Sequence, residues 1–178
     1  MATSRGETEV FTSEQFVESA GTILFRLSTC EICVLHLLQR DEYVLPKGRR
    51  NLGESRRTTA IRETTEETGI PCRLLPVNML SRVCPAIETE QLPDEARLYR
   101  EICEPIAVQQ RRLGDSHLKL TWWFVGAVNE DEPLSHYERD KFEVEFHSYD
   151  EALRKLTFRD DRKVVKKAID IVSTILGV

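Results

Sequence analysis

Apolar and polar positions alternate in short blocks along the first third of the chain. Residues 19–27 (SAGTILFRL) and 32–38 (ICVLHLL) are apolar runs rich in β-branched and leucine residues, and the polar stretch Ser28-Thr29-Cys30-Glu31 separates them, which predicts a β-hairpin. Tyr43-Val44-Leu45 predicts a third strand, closed by Pro46 because proline has no N–H to give a ladder; a loop then runs to Gly53. Residues 55–68 contain neither Gly nor Pro and carry charges at helical spacing. With Gly69-Ile70-Pro71 as a stop signal, they predict a helix. Further strands are predicted at 74–84, 102–110 and 117–128, the last from the β-prone run His117 to Val125. The polar residues about 88–100 read as a charged insertion, a loop with a short helical turn. Ser148-Tyr149-Asp150-Glu151 resembles a capping box opening a helix over 149–156. Val164, Val165, Ala168, Ile169, Val172, Ile175 and Leu176 lay an apolar stripe on a terminal helix.

The chain has 178 residues, which predicts one domain spanning 1–178. Hydrophobic residues at 40% and charged residues at 31% exclude a disordered tail or a fibrous repeat. No apolar run approaches the ~18–20 residues that span a bilayer, and the first residues lack a secretory pattern. A cytoplasmic location is therefore expected, with a removed leader as the alternative the sequence leaves open. A net charge of −5 disfavours a general nucleic-acid coat but leaves room for a local basic patch. Five cysteines are an odd number, and the Cys30/Cys33 pair lacks the second pair a structural zinc site needs, so reduced thiols are expected.

The chemistry converges on residues 47–70. On a helix, Glu63, Glu66 and Glu67 fall within a sector of about 100°, because separations of three and four return to one face. Ile61, Thr65 and Thr68 lie on the other side, which predicts an acidic face turned away from the packing, toward solvent or a cleft. Three crowded carboxylates suit either a divalent metal or a solvated face with ion-pair partners. An all-oxygen donor set fits Mg²⁺, or Mn²⁺, better than zinc. Around them, Lys47, Arg49, Arg50, Arg56, Arg57 and Arg62 stand against a single acid, Glu54. Cations beside a metal-holding face suit a polyphosphate; a solvated charge run is the competing reading, and for Arg56 and Arg57 the two are level. An arginine fork holding a carboxylate makes Glu54 and Arg62 an orienting pair.

Gly48, Glu54, Arg62, Glu63, Glu66, Glu67, Gly69 and Ile70 stand at the spacing GX5EX7REUXEEXGU, and the segment 48–70 resembles the Nudix box. Thr64 departs from it, standing where an aliphatic residue is expected. The resemblance implies an α/β/α sandwich with a mixed, curved sheet, the 55–68 helix on one side and the terminal helix on the other. It also implies metal-dependent hydrolysis of a pyrophosphate linkage. Carried onto this chain, Glu63 and Glu67 are the principal metal carboxylates, and Glu66 assists the metal or accepts the proton. The backbone carbonyl of Lys47 or Gly48 adds a metal contact, and Arg62 joins Glu63 and Glu66 in the catalytic group. A downstream acid contributes in some relatives; Glu130, Glu132, Glu138, Glu143 and Glu145 are all candidates.

For substrate, Pro46-Lys47-Gly48 resembles the diadenosine polyphosphate and diphosphoinositol polyphosphate hydrolases. Lys47, Gly48, Arg49 and Arg50 are then expected at the phosphates, with Arg40, Arg82 and Lys119 extending a basic rim. A nucleotide would instead need an aromatic clamp from Tyr43, Trp122 or Trp123. Diphosphoinositol polyphosphates are the expected substrates and dinucleoside polyphosphates the alternative. A catalytically silent nucleotide-binding module and an RNA-cap-removing enzyme are the competing classes. The expected partner is thus a small polyanionic phosphate, with no membrane and no nucleic acid, and the oligomeric state stays open.

Overall fold

The computed structural model describes residues 8–85, 94–114, 116–135 and 141–176. The expected hairpin forms from β1 (Phe16–Arg26) and β2 (Glu31–Leu37), with Phe25 opposite Ile32. Beside β1 in parallel lies β9 (His117–Val128), paired from Phe16↔Leu118 to Phe25↔Ala127. The remaining pairs are antiparallel. β10 (Phe142–Ser148) and β3 (Glu42–Val44) flank β2, β4 (Lys47–Arg49) pairs with β1, and β5 (Cys72–Leu74) and β8 (Ala107–Leu113) pair with β9. The sheet is therefore mixed and open, in the order β10-β2-β1-β9-β5. A separate two-stranded ribbon joins β6 (Val77–Ser81) to β7 (Arg97–Ile102).

Side chains alternate across a strand, and the alternation along β1 builds the two interfaces. Ile23 and Phe25 pack on the main core with Ile32, Val34, Trp123 and Val125. Val164, Val165, Ala168, Ile171 and Val172 of α3 (Arg159–Leu176) and Ala152 of α2 (Tyr149–Lys155) cover that face. Ala20 and Leu24 point the other way, to Ala60, Ile61 and Ile70 at α1 (Arg56–Thr68). Three layers result, as in an α/β/α sandwich.

α1 begins where Ser55 accepts the Thr58 N–H and ends where Gly69, at φ 69°, returns its N–H to the Thr65 carbonyl. Four expectations need correction. The 46–53 segment is not all loop, since Lys47–Arg49 pair with Ser19–Gly21 immediately after Pro46. Residues 97–102 of the charged insertion form β7 rather than a helical turn, and residues 88–93 lie outside the described residues. Ser148 makes no side-chain capping bond. Finally, the buried stripe of α1 is Thr59, Ala60, Thr64 and Thr68, so Glu63 and Glu67 flank the packing face and only Glu66 is exposed. The side chains of Ile175 and Leu176 lie outside the described residues.

Candidate active site

β4 and α1 meet edge to face, and the Nudix-like residues lie along the seam. An ideal Cβ on Gly48 would stand 1.7 Å from the Glu63 Oε2, so the carboxylate occupies the place a side chain would take. Any side chain at 48 would have to push the Glu63 carboxylate away from the strand, so glycine here is what lets that carboxylate stay in place. The Lys47 N–H donates to Glu67 Oε2 at 2.8 Å, turning that carboxylate inward against the strand. Burial, with the Glu63 charge adding to it, pushes the Glu67 carboxyl up to about 7 despite the Lys47 N–H and the Lys47 charge.

Arg62 organises the rest. Its Nε and Nη2 donate to the two oxygens of Glu54 at 2.8 and 3.0 Å, and its Nη1 reaches Glu63 Oε1 at 2.7 Å and Glu66 Oε2 at 2.8 Å. Nη2 also donates to the Arg49 carbonyl at 3.0 Å. Glu54 takes two further bonds, from the Asn51 N–H at 3.0 Å and the Thr59 hydroxyl at 2.8 Å. The Arg62 bond above all holds its carboxyl down at about 2, and Glu54 stays ionised. Thr64 fits its buried place because its hydroxyl meets that of Thr22 at 2.9 Å. A polar side chain can replace an aliphatic one here only because it is hydrogen-bonded.

These donors fit a hard divalent cation. They are carboxylate and backbone oxygens, Glu63 and Glu66 each engage Arg62 through one oxygen only, and Glu67 holds a buried carboxyl that no ion pair of the described residues neutralises. Among the described residues, the one trio whose ligand atoms lie within 4.8 Å of one another is elsewhere, His36, Glu143 and Glu145. Two members of that trio already have other partners: His36 Nε2 lies 2.7 Å from Asp41, and Glu145 Oε2 meets Lys155 and His147, each at 2.5 Å.

Register places the cations. Lys47 and Arg49 lie opposite Gly21 and Ser19, Lys119 lies opposite Val17, and Arg111 lies opposite Lys119. Directly paired and alternate residues share a face, so all four side chains stand on one side of the sheet, that of Ile23 and Phe25 and not the one α1 packs on. Glu67 stands at the β4 edge, near enough for its charge to act on Lys119. Burial lowers the Lys119 ammonium, and the charges of Lys47, Arg111 and Arg49 lower it further. Nothing in the Arg111 segment taken alone marks it as part of a cationic face. The glycine turn signal at Gly114, between two β-prone runs, was the cue that folds Arg111 back opposite Lys119.

Arg50 lies at the site but is engaged, donating to Glu18 at 3.0 Å and to the Glu54 carbonyl at 3.0 Å. Arg40 closes the β2–β3 turn through its backbone, and no hydrogen bond or ion pair among the described residues ties its guanidinium to the box. Arg82 pairs with Asp94 and Arg57 with Glu104. Of the downstream acids, Glu130 accepts the Ser28 hydroxyl at 2.7 Å and Glu132 the Asn129 amide at 2.9 Å. Glu143 and Glu145 belong to the His36 trio, and Glu138 lies outside the described residues.

Comparison with known proteins adds a family. The NUDIX domain description matches residues 23–168. No curated protein is significantly similar to the chain. Among solved structures, a C. elegans Ap4A hydrolase binary complex aligns at a TM-score of 0.59 and 17% identity, over 90% of this chain and 98% of that one. A NUDIX hydrolase from Nitrosomonas europaea aligns at 0.57 and 14%, over 85% and 86%. A MutT protein from Bacillus halodurans aligns at 0.53 and 18%, over 84% and 80%. At such identities these likenesses establish the fold. No described helix is long and apolar enough to cross a membrane.

Proposed function

The chain belongs to the NUDIX family and is a pyrophosphohydrolase, and we propose that it cleaves diphosphoinositol polyphosphates with the help of Mg²⁺. One observation carries the choice of substrate: the cations of the sheet face are crowded together, while every aromatic offered for a nucleobase is occupied. Arg111 and Lys119 are like charges directly opposite in a ladder, an arrangement that destabilises a sheet unless an anion offsets it. Tyr43 stacks on His36 at 4.4 Å, Arg56 lies 3.9 Å over the Trp122 ring, and Trp123 is wholly buried. A ring bearing many phosphates suits such a face better than an adenosine does.

In this reading Glu63, Glu66, Glu67 and the Lys47 carbonyl would hold Mg²⁺. When bound, the ion supplies charge neutralisation at phosphorus and an acidified water. Lys47, Gly48, Arg49 and Lys119, joined by Arg111, bind the phosphates and align the linkage for in-line attack. Arg62 and Glu54 fix the carboxylates, and Glu66, the most exposed of the three, accepts the proton of the attacking water, with Glu63 as the alternative. Arg50 acts through the loop it braces, and Arg40 extends the rim at long range.

The likeness to the C. elegans protein named as an Ap4A hydrolase supports the second reading, a dinucleoside polyphosphate substrate. The purified chain with Mg²⁺, offered diphosphoinositol pentakisphosphate and diadenosine tetraphosphate separately, decides. A higher kcat/KM on the inositol compound is expected. The reverse order would replace the substrate assignment, and turnover of neither compound, nor of any other pyrophosphate, would point to a silent module.

A further inference from the structure

Donors for a metal come from two elements, β4 and α1, and something must hold these elements at a fixed separation. Glu18 of β1 is placed to do so. Its carboxylate, 11% exposed, accepts Arg50 Nε at 3.0 Å from the segment leaving β4. It accepts Arg56 Nε and Nη2 at 2.9 and 2.6 Å from the first turn of α1, and Trp122 Nε1 at 3.0 Å from β9. The Glu18 carbonyl also accepts the Arg50 N–H at 3.0 Å. Burial alone would raise the Glu18 carboxyl, yet the bonds from Arg56 and Trp122 leave it below the ordinary range.

From Arg50 the connection continues. Arg50 Nη1 donates to the Glu54 carbonyl, the Glu54 carboxylate holds Arg62, and Arg62 holds Glu63 and Glu66. Among the described residues, the loop from Asn51 to Gly53 makes no hydrogen bond to the sheet. Asn51, Leu52 and Gly53 are exposed, and its internal bonds between Asn51 and Glu54 set its shape rather than its position. We propose that Glu18 is a positioning residue for the metal site, one carboxylate that ties the exit of β4 and the start of α1 to the same point. This rests on the assignment of a divalent cation to Glu63, Glu66 and Glu67, but not on the choice of substrate.

The test is the dissociation constant of Mn²⁺, read from the free-ion electron paramagnetic resonance signal without substrate, beside the melting temperature. Glu18→Ala is expected to weaken Mn²⁺ about 10-fold, the usual size for loss of an outer support of metal ligands. Glu18→Gln, which keeps an acceptor for Trp122, is expected to recover part of that loss. Arg50→Gln cuts the same line at an exposed residue and keeps the test readable should Glu18→Ala fail to fold. Adding Arg50→Gln to Glu18→Ala should cost little more, because the link is already broken. Arg57→Ala, on the same helix but paired with Glu104, should leave Mn²⁺ binding unchanged. Affinities within about twofold of wild type in the Glu18 and Arg50 variants, with only the melting temperature moved, would overturn the proposal and leave the metal assignment standing. Failure of the wild type itself to bind Mn²⁺ would overturn both.

Discussion

Replacing Glu67 by Gln should make the metal-free protein more stable in alkaline solution while removing metal-supported turnover. The carboxylate lies against β4, where the Lys47 N–H is the one hydrogen bond to it among the described residues, and burial pushes it up to about 7 from the ordinary 4.5. Between those values the folded chain keeps a proton that the unfolded chain gives up. For this group, stability is therefore full below about 4.5 and falls as pH rises through 7. At 1.36 kcal/mol per pH unit the loss at full ionisation is roughly 3 kcal/mol, an upper bound because the side chain can relax toward water. Each kcal/mol moves the melting temperature of a chain this long by about 2–4 °C. Gln can still accept the Lys47 N–H but carries no charge. In EDTA at pH 8, Glu67→Gln should melt roughly 5–10 °C above wild type, and at pH 5 the two should nearly coincide. Excess Mg²⁺ should shrink or reverse the difference, because only the wild type gains strong binding energy. Differential scanning calorimetry reads all three conditions. A variant that melts at or below wild type in EDTA at pH 8 would refute the argument that this carboxylate is held uncompensated for a cation.

Glu54 carries the opposite sign: its carboxyl is held at about 2 by Arg62, so its contribution is present above 4.5 and lost as pH falls toward 2. Glu54→Gln should flatten the acid limb of a stability-against-pH curve measured by urea unfolding. Thr64→Val should cost about 1–3 kcal/mol by leaving the Thr22 hydroxyl buried without a partner, whereas the double variant Thr22→Val/Thr64→Val should be nearly neutral. Equal losses in the single and double variants would reject that pairing. Lys119→Ala should raise KM roughly 10-fold, as expected for one charge-assisted bond to phosphate, and flatten the dependence of KM on salt. An unchanged KM would remove Lys119 from the substrate face.

Much of this was legible because it is local. Ser55 and Gly69 announce the ends of α1, and the spacing from Gly48 to Ile70 carries the seam where glycine admits a carboxylate. Where the chain hid its structure, the cause was a partner distant in sequence. Pro46 removes only its own N–H, and three residues are too few to show a period, so β4 appears only once Ser19–Gly21 are placed beside it. Residues 97–102 become a strand through β6, across a segment of charged residues. Thr68 is on the buried face of the helix, as its position opposite Glu63, Glu66 and Glu67 implies, but Ile61 and Thr65 are only half-buried and Thr64 is buried instead. A threonine reads as polar until its partner is placed: Thr64 bonds Thr22, and Thr68 bonds the Thr64 carbonyl. Arg50 reads as a substrate cation until Glu18, thirty-two residues away, is seen to hold it.

Anomalous diffraction from crystals soaked in manganese tests the central claim most directly. The account predicts density bounded by Glu63, Glu67 and the Lys47 carbonyl, with Arg62 still on Glu54. A peak confined to His36, Glu143 and Glu145, or none at all beside α1, would contradict it.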